Sequence, residues 1–132
     1  MNLLVTPNPM PSLPKILVVE DNLSVRQTLT LLFTRYGYET MSAVDGLDAL
    51  EIMKETSPDL ILSDLMMPRM DGMALLRKLR SEPATREIPF MILTGKNSQD
   101  DYNEAMQLGV KDFLYKPFDI KELLARVKSA LE

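Results

Sequence analysis

From Lys15 onward, short apolar runs alternate with longer amphipathic segments, and this alternation limits the fold more than any other feature. Five repeats of the pattern can be counted between residues 15 and 132. A strand that is apolar at successive positions is covered on both faces, as in a parallel sheet whose crossover connections are helices. The sequence therefore predicts an α/β fold, in which a five-stranded parallel sheet carries helices on both faces.

Each predicted helix follows a side chain that can accept a hydrogen bond from its first turn. Gly37 and Gly109 are placed to end the first and fourth helices. Helical spacing predicts that Leu47, Leu50 and Met53 face the core from the second helix, and that Ile120 begins the buried face of the last. The predicted strands cover 16–19, 38–43, 60–62, 88–93 and 113–114, and the predicted caps are Asn22, Asp45, Asp71, Ser98 and Asp119.

Residues 1–14 differ in composition from the rest of the chain. They include four prolines and no charged side chain, which favours an extended lead-in over a packed element. We interpret them as a Pro-rich N-terminal extension, with docking to a partner as the alternative, and we place one domain at residues 15–132.

Charge and residue usage exclude several classes of protein. The net charge of −4 and the pI near 4.9 argue against direct nucleic-acid contact. No apolar run approaches the roughly 20 residues of a membrane span, so we expect no membrane association and a cytoplasmic protein. The chain has no cysteine and no histidine, so a bound metal must be held by oxygen ligands. The chain also cannot be the histidine phosphodonor of a phosphorelay.

Five polar residues fall at or just after the ends of predicted strands. In an open parallel sheet, ligands bind beyond the carboxyl ends of the strands. Each residue alone has an ordinary explanation, such as a helix cap or a turn hydroxyl. Three carboxylates brought together repel one another unless a cation is present, so the set predicts a site for a hard ion, Mg²⁺ first and Mn²⁺ as the alternative. The five residues are Glu20, Asp21, Asp64, Thr94 and Lys116.

These residues lie within motifs that resemble those of a known family. The motifs are Val18-Val19-Glu20-Asp21-Asn22, Asp64-Leu65-Met66-Met67-Pro68 with Met70-Asp71-Gly72, Leu93-Thr94-Gly95, and Lys116-Pro117-Phe118. From residue 15 to residue 132 the chain resembles the receiver domain of response regulators in bacterial two-component signalling. The resemblance implies a sheet with the strand order 2-1-3-4-5.

The resemblance also implies the chemistry of the site. Asp64 would take a phosphoryl group from a sensor histidine kinase or a histidine phosphotransfer protein in a Mg²⁺-dependent reaction. Asp21, Asp64 and the backbone carbonyl of Met66 would bind the ion, and Glu20 would act mostly through a bound water. Phosphoryl transfer needs chiefly positioning and neutralisation of oxygen charge, which a metal and a lysine supply.

Further residues carry the family's switch. Lys116 would pair with the phosphoryl oxygens, Thr94 would donate a hydrogen bond to them, and the Lys116-Pro117 bond is expected to be cis. Phe113 stands where many members have tyrosine and would fill the room that Thr94 leaves. This change would alter the face formed by the fourth helix, the fifth strand and the fifth helix.

Two positions are expected to tune the lifetime of the phosphorylated state. Met66 lies two residues after the acceptor, and Lys96 lies two residues after Thr94. An apolar Met66 offers no hydrogen bond to orient an attacking water, so we predict slow self-dephosphorylation over minutes or longer. The chain would then be a signalling domain and not an enzyme with its own turnover.

Other positions concern partners. Asp112 and Arg126 match an ion pair that crosses the dimer of related receivers, and Glu122 matches half of another, although Tyr102 replaces its basic partner. Homodimerisation on phosphorylation is therefore a hypothesis. The resemblance places kinase recognition near the first helix, at Leu23, Ser24, Arg26 and Gln27.

Rival functions fit the sequence less well. A phosphatase of the aspartyl-phosphate type needs a second acid two residues after the nucleophile, where this chain has Met66. A flavin-binding module would want a Gly/Ser/Thr-rich turn where Glu20 and Asp21 stand. Gly95-Lys96-Asn97 lacks the upstream glycine and the hydroxyl residue of a P-loop.

Overall fold

The computed structural model describes residues 12–132. The extension predicted over residues 1–14 falls mostly outside the described residues, and its boundary with the domain stays a prediction. Pro14 is described, and its carbonyl accepts a hydrogen bond from the amide of Glu39 at 2.9 Å. The chain is therefore tied to the sheet from this point on.

Strands and helices alternate through the whole described range. The strands are β1 (Lys15–Val19), β2 (Glu39–Ala43), β3 (Leu60–Ser63), β4 (Phe90–Thr94) and β5 (Asp112–Tyr115). The helices are α1 (Leu23–Arg35), α2 (Gly46–Met53), α3 (Gly72–Ser81), α4 (Gln99–Gln107) and α5 (Ile120–Ala130). Within residues 12–132, none of the helices combines the length and the apolar character that a membrane span needs.

All strands run parallel, in the order β2-β1-β3-β4-β5, so the predicted fold and strand order are confirmed. Val19 is in register with Ala43 on one side and with Ser63 on the other. Thr94, at the end of β4, is in register with Tyr115 of β5. The carboxyl ends of the strands thus meet along one edge, where the polar residues lie.

Alternate side chains of the central strands enter two separate cores. Leu17 and Val19 point to the layer that α2, α3 and α4 cover. Ile16 and Val18 point to the opposite layer, where Phe33 of α1 and residues of α5 pack. Coverage on both faces explains why these strands are apolar at successive positions.

The predicted helix caps are confirmed. Each capping side chain accepts a hydrogen bond from an amide in the first turn of its helix, and these caps are Asn22, Asp45, Asp71, Ser98 and Asp119. Gly37 and Gly109 follow α1 and α4 with φ angles of 93° and 75°. Glycine adopts this left-handed conformation without the clash that a Cβ would cause, so both helices end where predicted.

Two predictions of core residues are wrong. Leu47 is 43% exposed, and the buried residues of α2 are instead Gly46 and Ala49. Ile120 is 50% exposed at the first position of α5, whose buried face begins at Leu123. Helical spacing gives the direction of an apolar stripe but not the point at which the neighbouring layer stops covering it.

Candidate functional site

The carboxylate of Asp64 lies at the carboxyl end of β3 and is almost fully enclosed, with 8% of the residue exposed. Its Oδ1 accepts hydrogen bonds from the hydroxyl of Thr94 at 2.7 Å and from the amides of Leu65 and Met66 at 2.5 and 3.2 Å. Its Oδ2 accepts a hydrogen bond from the ammonium of Lys116 at 2.7 Å. Four donors from three segments therefore fix both carboxylate oxygens.

Gly72 fixes the backbone of Asp64. A Cβ at Gly72 would lie 2.1 Å from the Asp64 carbonyl oxygen and 2.9 Å from the Cα of Leu65. The Gly72 amide also donates to the Leu65 carbonyl at 2.9 Å. No role was predicted for this glycine, although a glycine in the first turn of a helix can indicate a close backbone approach.

Three carboxylates converge beside Asp64. Glu20, Asp21 and Asp64 each offer an oxygen, and these oxygens lie within 4.8 Å of one another. Glu20 is buried and Asp21 is exposed. One ammonium, from Lys116, contacts both Glu20 and Asp64, so the cluster keeps two negative charges. Such a set of oxygen donors fits a hard divalent cation.

The pKa values of Glu20, Asp64 and Lys116 shift in different directions. Burial raises the pKa of Glu20, against the hydrogen bond from Lys116. Burial also acts to raise the pKa of Asp64, but the hydrogen bonds from Lys116 and Thr94 outweigh it and lower the pKa. Burial acts to lower the pKa of Lys116, and the two carboxylates reverse this and raise it. Asp64 is thus held as a carboxylate and Lys116 as an ammonium.

Asn22 in the first βα turn and Arg26 in α1 hold Glu20 in place. The amide of Asn22 donates to Oε2 of Glu20 at 3.1 Å. Arg26 of α1 donates from Nη1 to the Glu20 carbonyl at 2.8 Å. We expect Arg26 to take part in kinase recognition. In the structure, its hydrogen bond stabilises the acidic turn.

An open groove of about 390 Å³ lies against the site, and its lining includes Asp21, Met66 and Lys96. Met66 is 61% exposed at its mouth. The ammonium of Lys96 lies 2.8 Å from Oδ2 of Asp101, at the start of α4. Both residues that we expect to tune the lifetime of the phosphorylated state therefore border the same open space.

Thr94 and Phe113 occupy inward positions. The Thr94 side chain is fully buried, donates to Asp64 and accepts a hydrogen bond from the amide of Lys96 at 3.1 Å. Phe113 is buried, and its ring centroid lies 5.2 Å from that of Tyr102 and 5.4 Å from that of Tyr115. The Lys116-Pro117 bond is cis. Thr94 thus contacts the site directly, whereas Phe113 contacts Tyr102 of α4 and Tyr115 of β5.

The three residues of the predicted dimer face pair with one another within the chain. Arg126 contacts Oδ2 of Asp112 at 2.8 Å and Oε1 of Glu122 at 3.5 Å. These contacts lie on the surface formed by β5 and α5. Homodimerisation stays a prediction, and it would require exchange of these contacts for ones between two copies.

Fold and site together define a doubly wound α/β domain with an acidic, lysine-bearing cluster at the carboxyl edge of its sheet. A family model described as the response regulator receiver domain matches residues 16–128. The chain belongs to this family.

Relatives and solved structures agree with this assignment. A probable transcriptional regulator of Porphyridium aerugineum, ycf27, is 40% identical over 117 residues, which are 89% of this chain and 48% of the relative. RpaA of Synechocystis, named a DNA-binding dual master transcriptional regulator, is 34% identical, over 90% of this chain and 49% of its own length. The chain thus spans about half the length of the curated relatives it matches.

Among solved structures, the chemotaxis protein CheY4 of Vibrio cholerae superposes with a TM-score of 0.84 at 31% identity, over 91% of this chain and 100% of the other. A signal receiver domain of a histidine kinase from Syntrophus aciditrophicus gives 0.82 at 36% identity, over 89% of each chain.

Proposed function

We propose that this receiver domain accepts a phosphoryl group on Asp64 from a sensor histidine kinase or a histidine phosphotransfer protein. The observation that carries the proposal is the enclosed Asp64 carboxylate, with an ammonium on one oxygen and a hydroxyl on the other. The P–N bond of the donor breaks as a bond forms between phosphorus and an Asp64 oxygen. This chain contains no histidine, so the histidine that donates the group does not lie within these 132 residues.

The cluster of Glu20, Asp21 and Asp64, with the backbone carbonyl of Met66, would hold Mg²⁺, or Mn²⁺ in its place. When bound, the ion supplies positive charge for the phosphoryl oxygens. Lys116 supplies a second positive charge at Oδ2 of Asp64. The Thr94 hydroxyl, which now donates to Oδ1, can turn its hydrogen bond to a phosphoryl oxygen after transfer.

Phosphorylation would change the surface formed by α4, β5 and α5, through Thr94 and the packed ring of Phe113. This surface would control a partner protein or an output domain. Curated relatives are named as transcriptional regulators, which supports control of transcription as the output. The chain's own chemistry is limited to its phosphorylation and a slow loss of the group.

Phosphoramidate, a small donor with a P–N bond, tests this function without knowledge of the kinase. Intact mass is measured after incubation of the full chain with the donor and Mg²⁺, and again with excess EDTA. The proposal predicts gain of one phosphoryl group that EDTA prevents. No gain with Mg²⁺, or equal gain with EDTA, would contradict it.

A further inference from the structure

The segment between Asp64 and α3 contains an unusual backbone turn. Arg69 has a φ of 62°, a left-handed value that is uncommon for residues other than glycine. The amide of Met70 donates to the carbonyl of Pro68 at 2.7 Å, across Arg69. A three-residue turn with positive φ at its centre is strained, and such strain persists only where surrounding contacts enforce it.

An ion pair with Asp45 enforces this turn. Nε and Nη2 of Arg69 donate to Oδ2 and Oδ1 of Asp45 at 2.7 and 3.0 Å. The Asp45 side chain is 1% exposed, whereas that of Arg69 is 57% exposed and covers it. Asp45 also caps α2, with Oδ1 accepting from the amide of Asp48 at 3.0 Å. Capping alone does not require burial, so the arginine is what makes a buried carboxylate tolerable here.

A second link joins the same two segments. The amide of Gly46 donates to the carbonyl of Met70 at 2.9 Å. A Cβ at Gly46 would lie 2.6 Å from Cγ of Met70, so the Met70 side chain rests directly on the glycine. The start of α2 therefore contacts two successive residues, Arg69 and Met70, of the segment that follows Asp64.

The segment that α2 contacts in this way, residues 65–70, also contains Met66. Its amide donates to Oδ1 of Asp64 at 3.2 Å, and under the proposed function, on which this inference rests, its carbonyl is a metal ligand. Pro68 lies between Met66 and Arg69 and restricts the backbone that joins them. We propose that Asp45 and Arg69 form a positioning pair that holds residues 65–70 in the conformation needed for cation binding and phosphorylation.

Three variants separate positioning from simple stabilisation. Asp45→Asn keeps a capping oxygen for α2 but removes the charge that holds Arg69. Arg69→Gln removes the guanidinium, and the double variant leaves neither charge unpaired. Arg77→Gln is the matched control, because it breaks another bidentate arginine pair, with Glu104, that joins α3 to α4.

Two readouts need no phosphodonor: the Mg²⁺ dissociation constant from calorimetry, and the amide hydrogen exchange of residues 65–70. A third is the phosphorylation rate from phosphoramidate as a function of Mg²⁺ concentration. For Asp45→Asn, Arg69→Gln and the double variant we expect about tenfold weaker Mg²⁺ binding. We also expect faster exchange of the Met66 and Met70 amides, and a phosphorylation rate that recovers largely at saturating Mg²⁺.

The positioning role would be overturned if the three variants kept the Mg²⁺ affinity and the amide exchange of the wild type and lost only as much Tm as Arg77→Gln. If the wild type itself fails to bind Mg²⁺, the proposed function fails first. In that case hydrogen exchange still tests the positioning role on its own, and an unchanged exchange rate of the Met66 amide in Arg69→Gln would refute that role.

Discussion

The ammonium nitrogen of Lys116 lies 2.7 Å from Oδ2 of Asp64. The same nitrogen contacts Glu20, so two enclosed carboxylates share one cation. Removal of this cation would leave like charges facing each other where water has little access.

Lys116→Met should therefore lower the free energy of unfolding in Mg²⁺-free buffer by about 3–5 kcal/mol. Saturating Mg²⁺ should raise the Tm of the variant more than that of the wild type, because the ion replaces the missing charge. Urea unfolding and thermal scans with and without Mg²⁺ measure both effects. Lys111→Met, at an exposed position, is the control. Equal Mg²⁺ shifts in the variant and the wild type would contradict the shared-cation account.

Gly72→Ala should destabilise the chain by about 1–3 kcal/mol or more, since overpacking forces the backbone to move. The moving atom is the Asp64 carbonyl oxygen, 2.1 Å from the added carbon, so phosphorylation should slow as well. Gly95→Ala is the control for stability, because its Cβ would meet nothing within 4 Å. Similar unfolding free energies for the two variants would show that the close approach is unimportant.

The order of strands and helices, the caps and the group of strand-end residues could be predicted because each depends on local sequence. Periodicity identifies a strand covered on both faces, and a capping side chain acts within three residues of itself. The ion pair between Asp45 and Arg69 could not be predicted in this way. Its partners are 24 residues apart, and their contact accompanies a left-handed turn at Arg69 that local sequence does not favour.

The exposure of Leu47 has a similar cause. Gly46 lies under Met70, so the start of α2 is packed through its backbone and through Ala49, and Leu47 is left outside. Likewise, the contact of Arg126 with Asp112 inside one chain depends on how α5 lies beside β5. A single sequence does not distinguish this contact from the same pair formed between two copies.

Acid should remove the stabilisation that Asp45 provides. The hydrogen bonds from Arg69 outweigh the effect of burial and hold the pKa of Asp45 below its ordinary value. A carboxyl group whose pKa is lower in the folded than in the unfolded state stabilises the folded state fully above its unfolded-state pKa of about 3.9. This stabilisation is lost as the pH falls through the lower, folded-state pKa. Near neutral pH, the free energy of unfolding of the wild type should exceed that of Asp45→Asn by about 1.5–3 kcal/mol.

Urea unfolding of both proteins between pH 7 and the acid limit of folding gives this difference directly. The difference in unfolding free energy should stay constant as the pH falls to the ordinary pKa range of aspartate, and it should shrink below that range. The other groups near the pair are Asp48 and the guanidinium itself, and both are present in the variant. A difference that does not change with pH would refute the role assigned to the Asp45 charge.

Met66→Asn should shorten the lifetime of the phosphorylated state. The amide would give the attacking water a hydrogen-bond partner at the mouth of the site, where the exposed methionine offers none. We expect loss of the phosphoryl group to be about tenfold faster or more, and the wild type to retain it for minutes or longer. Intact mass at timed intervals after removal of the donor measures both, with Met106→Asn on exposed α4 as the control. Loss from the wild type within seconds would contradict the expectation.

Under the proposed function, Asp64 is the acceptor of the phosphoryl group. The most direct measurement is intact mass, followed by peptide mapping, of wild type and Asp64→Asn after incubation with acetyl phosphate and Mg²⁺. The substitution keeps the size of the side chain and its acceptor oxygen while removing the nucleophilic carboxylate. We predict one added phosphoryl group in the wild type, mapped to the peptide that contains Asp64, and none in the variant. Equal labelling of the two proteins, or a label on a different peptide, would contradict the account.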